Sequence, residues 1–246
     1  MRTLAILSSK GGTGKTTVAL HLAAAASASG RKVVVADLDP QRSACDWRRD
    51  RRATKPGVIE TRPACLFVAH QSAQREGADL MVLDTAPSAG EDSAAAMRLA
   101  DLCLIVVRPS ATDLRAISRT VESVKRLNRR ACFVINQAPS RRRGKEPAVI
   151  DRTIETLRAY GLPIAPAGLR TRAIFQSALA AGLVVQEADP HSTATAEVRA
   201  LWRFVCKELW RPVAAQPVAP SRMGAAPIPL ITRAAQPPPG EMRTAG

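Results

Sequence analysis

Short apolar runs alternate with longer stretches in which apolar positions recur at helical spacing. The runs are Arg2 to Ser8, Lys32 to Ala36 (KVVVA), Leu80 to Leu83 (LMVL), Leu102 to Val107 (LCLIVV) and Ala131 to Ile135. Continuous, β-branched-rich runs of this length predict strands buried on both faces of a parallel sheet. Two weaker runs, Cys65 to Ala69 and Leu162 to Ala165, predict further short strands. Helices are predicted from Lys15 to about Ser29, stopped by Gly30, and after Ser43, around Trp47. Others run from Glu91 to Ala100, from Ser110 or Thr112 to about Leu127, and from Pro147 to about Tyr160. The last two are Arg172 to Ala181, stopped by Gly182, and Thr193 to Trp210, whose stripe is Val198, Leu201, Trp202, Val205 and Leu209. Strand–helix alternation of this kind predicts an α/β fold, a mostly parallel twisted sheet with helices on both faces. From Pro212 the periodicity stops and Pro, Ala, Gly and Arg dominate. The expected organisation is one α/β domain over residues 1–211 and a disordered tail over 212–246.

The first strand–helix junction carries chemistry. Leu4 to Thr17 reads LAILSSKGGTGKTT. It fits G-x-x-x-x-G-K-[ST] with Ser9 in place of the first glycine and an additional lysine, Lys10, inside the loop. Gly11, Gly12 and Gly14 permit backbone conformations closed to other residues and close approach of a ligand. Their amides, and the positive end of the following helix, form an anion cradle. Lys15 is the expected cation for β/γ-phosphates and Thr16 the expected Mg²⁺ hydroxyl, so a nucleotide polyphosphate with Mg²⁺ is the expected ligand.

Two carboxylates stand at carboxyl ends of predicted strands, where open α/β sheets bind ligands. Asp39 lies in Asp37-Leu38-Asp39-Pro40-Gln41, with Pro40 holding it extended, although a cap or turn role is its rival. Asp84 closes Leu80–Leu83 and has the Walker B arrangement, a carboxylate that orients Mg²⁺ or its waters.

Composition narrows the partners. The 246 residues carry a formal charge of +15, and 29 of the 36 basic residues are Arg, which favours a polyanion such as nucleic acid. The basic loop Arg141 to Arg143 reads equally as a solvated loop or a DNA contact. Five widely spaced cysteines without a C-x-x-C pair read as reduced thiols, and His21, His70 and His191 stand apart from any ligand cluster. No run approaches the ~20 apolar residues of a membrane span. No signal peptide opens the sequence, so a cytoplasmic protein is expected.

KGGTGKTT (Lys10 to Thr17), DLDPQ (Asp37 to Gln41) and LMVLDTAP (Leu80 to Pro87) together resemble the ParA/MinD family of deviant Walker A ATPases. Further similarity lies in Ala100-Asp101 with LCLIVVRPS, in FVINQ (Phe133 to Gln137) and in RTRAIFQSALAAGLVV (Arg170 to Val185). The resemblance covers about Met1 to Trp210 and is greatest to the small ParA type. It implies that Lys10 is the signature lysine, reaching across an ATP-dependent homodimer to the partner's nucleotide. It further implies that Lys15, Thr16 and Thr17 contact phosphate and Mg²⁺, with Gly11, Gly12, Thr13 and Gly14 forming the cofactor loop. Asp39 would be the switch I carboxylate that positions the attacking water, Asp84 the Walker B residue, and Asn136 an adenine contact or else a strand-end turn residue. Arg170 and Arg172 fall where family members bind DNA. Arg42 replaces a glycine common after DPQ.

The implied function is ATP hydrolysis that drives partition of plasmid or chromosomal DNA. Nonspecific DNA and a ParB-like centromere-binding adaptor would be the partners, and the protein would be nucleoid-associated. Positioning a protein cargo, or aiding conjugative transfer, is the alternative within the family. A MinD-type membrane role would need an amphipathic C-terminal anchor, which the Pro-rich terminus does not offer. An iron–sulfur reductase would need cysteines paired between subunits.

Overall fold

A computed structural model describes residues 1–87, 90–141, 143–166 and 168–212. Six strands make one sheet: β1 (Arg2–Leu7), β2 (Val33–Asp37), β3 (Gly57–Glu60), β4 (Leu80–Asp84), β5 (Leu102–Val107) and β6 (Ala131–Ile135). Their order is β3-β2-β4-β1-β5-β6, and every pairing is parallel. All carboxyl ends therefore share one edge. Register brings Asp84 level with Ile6 on one side and with Asp37 on the other.

The continuous apolar runs are explained by two cores, one on each face. Leu4, Ile6, Val33, Val35, Leu80, Val82, Leu104 and Val134 point to one, and Ala5, Leu7, Ala36, Met81, Leu83, Ile105 and Phe133 to the other. The first core is covered by α1 (Lys15–Ala28), α2 (Ser43–Asp50), α7 (Ala173–Ala180), α8 (Val185–Ala188) and α9 (Thr193–Leu209). The second is covered by α3 (Leu66–Arg75), α4 (Glu91–Leu99), α5 (Ala111–Arg126) and α6 (Ala148–Arg158). The α1 helix runs into Gly30 at φ 84°, the left-handed stop expected of a glycine there. These elements belong to one compact unit, Met1–Arg211.

Two strand expectations are corrected. Cys65 to Ala69 is not a strand: Pro63–Cys65 is a 3₁₀ turn, and α3 starts at Leu66. Leu66 and Ala73, seven residues apart, are buried while Phe67 and Val68 between them are 60% and 69% exposed, a helical pattern and not an alternating one. The edge strand is instead Gly57–Glu60, four residues long and half-buried, too short and too polar at its ends to stand out in the sequence. Leu162 to Ala165 forms only a bridge, with Ile164 paired to Phe133 beside β6. Beyond Pro212 the expected tail lies outside the described residues, as does Arg142 of the basic loop.

Candidate functional site

The loop between β1 and α1 sits at the carboxyl edge of the central strand and is braced from several sides. Thr13 and Ser8 are buried, and the Thr13 hydroxyl donates to Ser8 Oγ (2.9 Å), which itself donates to the Lys10 carbonyl (2.9 Å). Two side chains from the end of β6 hold the loop's carbonyls: Asn136 Nδ2 donates to Thr13 O (2.6 Å) and Gln137 Nε2 to Gly12 O (2.8 Å). With its carbonyls drawn outward, the loop is free to turn amides inward, as an anion cradle requires. Gly12 and Gly14 have φ of 71° and 84°, and a Cβ on Gly14 would lie 2.3 Å from Asn136 Nδ2, so only glycine fits there.

A cavity of about 510 Å³ opens over this loop, lined by Gly11, Gly12, Gly14, Lys15, Thr16, Asp39, Ala86 and Pro87 among others. Thr17 lies in the first turn of α1 beside it. Lys15 is buried, and burial lowers its pKa against the opposing pull of Asp84 and Asp39. Asp39 is half-buried and lines the cavity, its Oδ1 accepting from Gln41 N (3.0 Å). Its neighbour Asp37 serves the fold instead. Buried at the end of β2, it accepts from Ala44 N and Cys45 N (both 3.0 Å) and caps the start of α2. Arg42 occupies the left-handed region at φ 53°. A glycine would take that conformation freely, and here an ion pair with Glu60 (3.0 Å) accompanies it.

Asp84 is fully buried, and neither carboxylate oxygen has a hydrogen-bond partner. Burial pushes its pKa up to about 7; Thr16 and Lys15 oppose the rise, and Asp37 and Asp39 add to it. Thr16 faces the carboxylate without closing a hydrogen bond. An unpartnered buried carboxylate beside a hydroxyl, a lysine and a glycine cradle is a donor set that fits a hard divalent cation and a polyphosphate.

The remaining expected residues lie elsewhere. Lys10 is exposed and stands outside the cavity. Asn136 is buried behind the loop, with its amide engaged by Thr13. Arg170 and Arg172 line a separate cavity of about 580 Å³, and both are ion-paired: Arg170 with Glu146 (2.6 Å), Arg172 with Glu197 (2.7 Å).

Three contacts near the loop were not readable in the sequence. Gln137 holds the loop, as described. Arg108, the residue after β5, brings Nη1 to 3.8 Å from the place a Gly12 Cβ would occupy. His21 is fully buried under the loop helix; Nδ1 lies 2.7 Å from Thr17 O and must donate, so Nε2 accepts from Val185 N (3.1 Å). Burial lowers its pKa to about 4, keeping the imidazole neutral. The partner that matters in each case is more than 90 residues away in sequence.

A parallel sheet with a glycine-cradled lysine at its carboxyl edge and a strand-end carboxylate beside it defines a P-loop nucleotide hydrolase. Residues 4–195 match the family model described as the CobQ/CobB/MinD/ParA nucleotide binding domain. The chain is similar to Maintenance of carboxysome distribution protein A of Gloeobacter kilaueensis, 31% identical over 223 residues, covering 85% of this chain and 96% of that one. It is also similar to Protein IncC of Escherichia coli, 29% identical over 252 residues, covering 83% and 69%. Among solved structures, MinD of Pyrococcus horikoshii complexed with Mg-ADP shares the fold at a TM-score of 0.66 with 18% identity, covering 84% and 96%. The chain belongs to the CobQ/CobB/MinD/ParA family and is an ATPase of the ParA/MinD type.

Proposed function

We propose that residues 1–211 form a ParA-type ATPase domain that binds ATP with Mg²⁺, pairs with a second copy across facing phosphate loops, and then binds DNA without sequence preference. In this reading a ParB-like centromere-binding adaptor stimulates hydrolysis, and the cycle drives partition of plasmid or chromosomal DNA in the cytoplasm, on the nucleoid. The observation that carries it is the division of labour between two lysines of one loop. Lys15 is buried and lines the cavity, whereas Lys10 is exposed and does not line it.

The residues have distinct roles. The amides of Gly11 to Thr17 and the Lys15 ammonium bind the phosphates, and Asn136 and Gln137 hold the loop that presents those amides. Thr16, and Asp84 through water, would hold Mg²⁺, which neutralises phosphate charge when bound. Asp39 holds the attacking water in line with the phosphate. For DNA, Arg170 and Arg172 stay candidates that must exchange a carboxylate for a phosphate. Arg199, Arg203 and Lys207 join them as candidates: they lie about 6 Å apart along one line of α9, exposed and without an ion pair among the described residues.

The test is sedimentation with Mg²⁺ and a non-hydrolysable ATP analogue. Wild type is expected to dimerise and Lys10→Ala to remain monomeric while still binding a fluorescent ATP analogue. A normal Lys10→Ala dimer would remove the role given to that lysine. Similarity to the carboxysome distribution protein, over nearly its whole length, favours a second reading in which the cargo is a protein assembly. The two readings part on whether the adaptor that stimulates hydrolysis itself binds a DNA site.

A further inference from the structure

Arg108 is the first residue beyond β5 and is held by a buried carboxylate. Its Nε donates to Asp113 Oδ2 (2.9 Å) and its Nη2 to Asp113 Oδ1 (3.0 Å), a two-point fork that fixes the guanidinium plane. Asp113 is itself fixed. It lies in the first turn of α5, its side chain is 4% exposed, and its amide donates to the capping Ser110 Oγ (3.3 Å). The remaining nitrogen, Nη1, has no hydrogen-bond partner among the described residues and lies 3.8 Å from where a Cβ on Gly12 would sit.

Position decides what that nitrogen can serve. Arg108 lies beside Gly12 without lining the cavity over the phosphate loop, and its side chain is one-third exposed. Lys10 shares this side of the loop: a small recess is lined by Ser9, Lys10, Val107 and Asp113 together. Two cations thus border one stretch of glycine loop, and neither lines the cavity over that loop. Asp113 neutralises one positive charge, and no acidic side chain pairs with Lys10 among the described residues. The arrangement is complementary to an anion that arrives from outside the chain.

We propose that Arg108 binds the phosphates of the nucleotide held by the second copy, as a second trans-acting cation beside Lys10, with Asp113 as its positioning residue. This rests on the dimer reading above. No covalent step is assigned to Arg108; it stabilises charge at the interface.

The test compares wild type, Arg108→Ala, Arg108→Lys and Asp113→Asn, each shown to fold by its circular dichroism melt. Two readouts are taken: affinity for a fluorescent ATP analogue at protein concentrations too low for dimers, and the dimer dissociation constant by sedimentation with the non-hydrolysable analogue. Arg108→Ala is expected to bind nucleotide as a monomer like wild type and to dimerise on the order of 10–100-fold more weakly, as expected for loss of charge-assisted hydrogen bonds. Arg108→Lys, which keeps the charge but not the fork, falls between, and Asp113→Asn weakens dimerisation less than Arg108→Ala. Wild-type-like dimerisation of a folded Arg108→Ala overturns the proposal. So does a loss of monomer nucleotide affinity, which would place Arg108 on its own chain's ligand. A wild type that stays monomeric with the analogue overturns the dimer reading, and this proposal with it.

Discussion

Asp84 is held in an environment that opposes its charge. Its carboxylate is sealed from water, unpartnered, and raised to a pKa of about 7, so the folded chain without ligand binds a proton there more readily than the unfolded chain does. Between about pH 4 and pH 7, fold stability therefore decreases as pH rises, and above pH 7 the full penalty is present. A rise of that size corresponds to about 4 kcal/mol as an upper bound. Asp84→Asn is expected to remove this pH dependence, so that without nucleotide the variant gains on wild type in melting temperature from pH 5 to pH 8. Parallel melting curves across that range would show that Asp84 is not the stressed group. The same substitution should abolish the added stabilisation that Mg²⁺ with nucleotide gives wild type. At this scale the sequence is informative about the loop itself, since Gly14, Lys15 and Thr16 stand at fixed spacing. It is silent on Asn136 and Gln137 as loop braces, because their partners Thr13 and Gly12 are 123 and 125 residues away.

At the scale of elements, the strands were readable for a physical reason. A strand buried on both faces must be apolar throughout, and β1, β2, β4, β5 and β6 are nearly so. The edge strand β3 escapes that logic because its residues are only half-buried, and the apolar Cys65–Ala69 segment mimics a strand although Phe67 and Val68 face solvent. Equally hidden are the joints that tie the nucleotide edge to the C-terminal helices. Arg51, at the end of α2, donates to Glu187 (2.5 and 2.7 Å) and stacks on Trp47 (4.7 Å), whose Nε1 donates to Leu183 O (3.0 Å). His21 makes the parallel connection from α1 to α8. His21→Ala would leave the Val185 amide without its acceptor and open a cavity, and is expected to cost about 2–4 kcal/mol in denaturant unfolding. A change below about 0.5 kcal/mol would mean that α8 does not depend on this joint.

For the whole molecule, charge and nucleotide state are the linked quantities. A formal charge of +15 favours attraction to DNA on electrostatic grounds alone, and such attraction weakens steeply with salt. Nucleotide state supplies the switch in the proposed cycle. The joints from α1 and α2 reach α8, and α8 packs on α9, which carries Arg199, Arg203 and Lys207. Among the described residues no helix is long and apolar enough to cross a membrane, and the basic surface is the proposed output. The direct measurement is a DNA-binding titration of wild type with Mg²⁺ and ATP, with ADP, and without nucleotide, each at two salt concentrations. Tight binding is predicted with ATP alone, weakened by about 10-fold or more when salt rises from roughly 50 to 200 mM. Equal binding in all three nucleotide states, or binding that salt does not weaken, would contradict an ATP-switched, phosphate-directed grip on DNA.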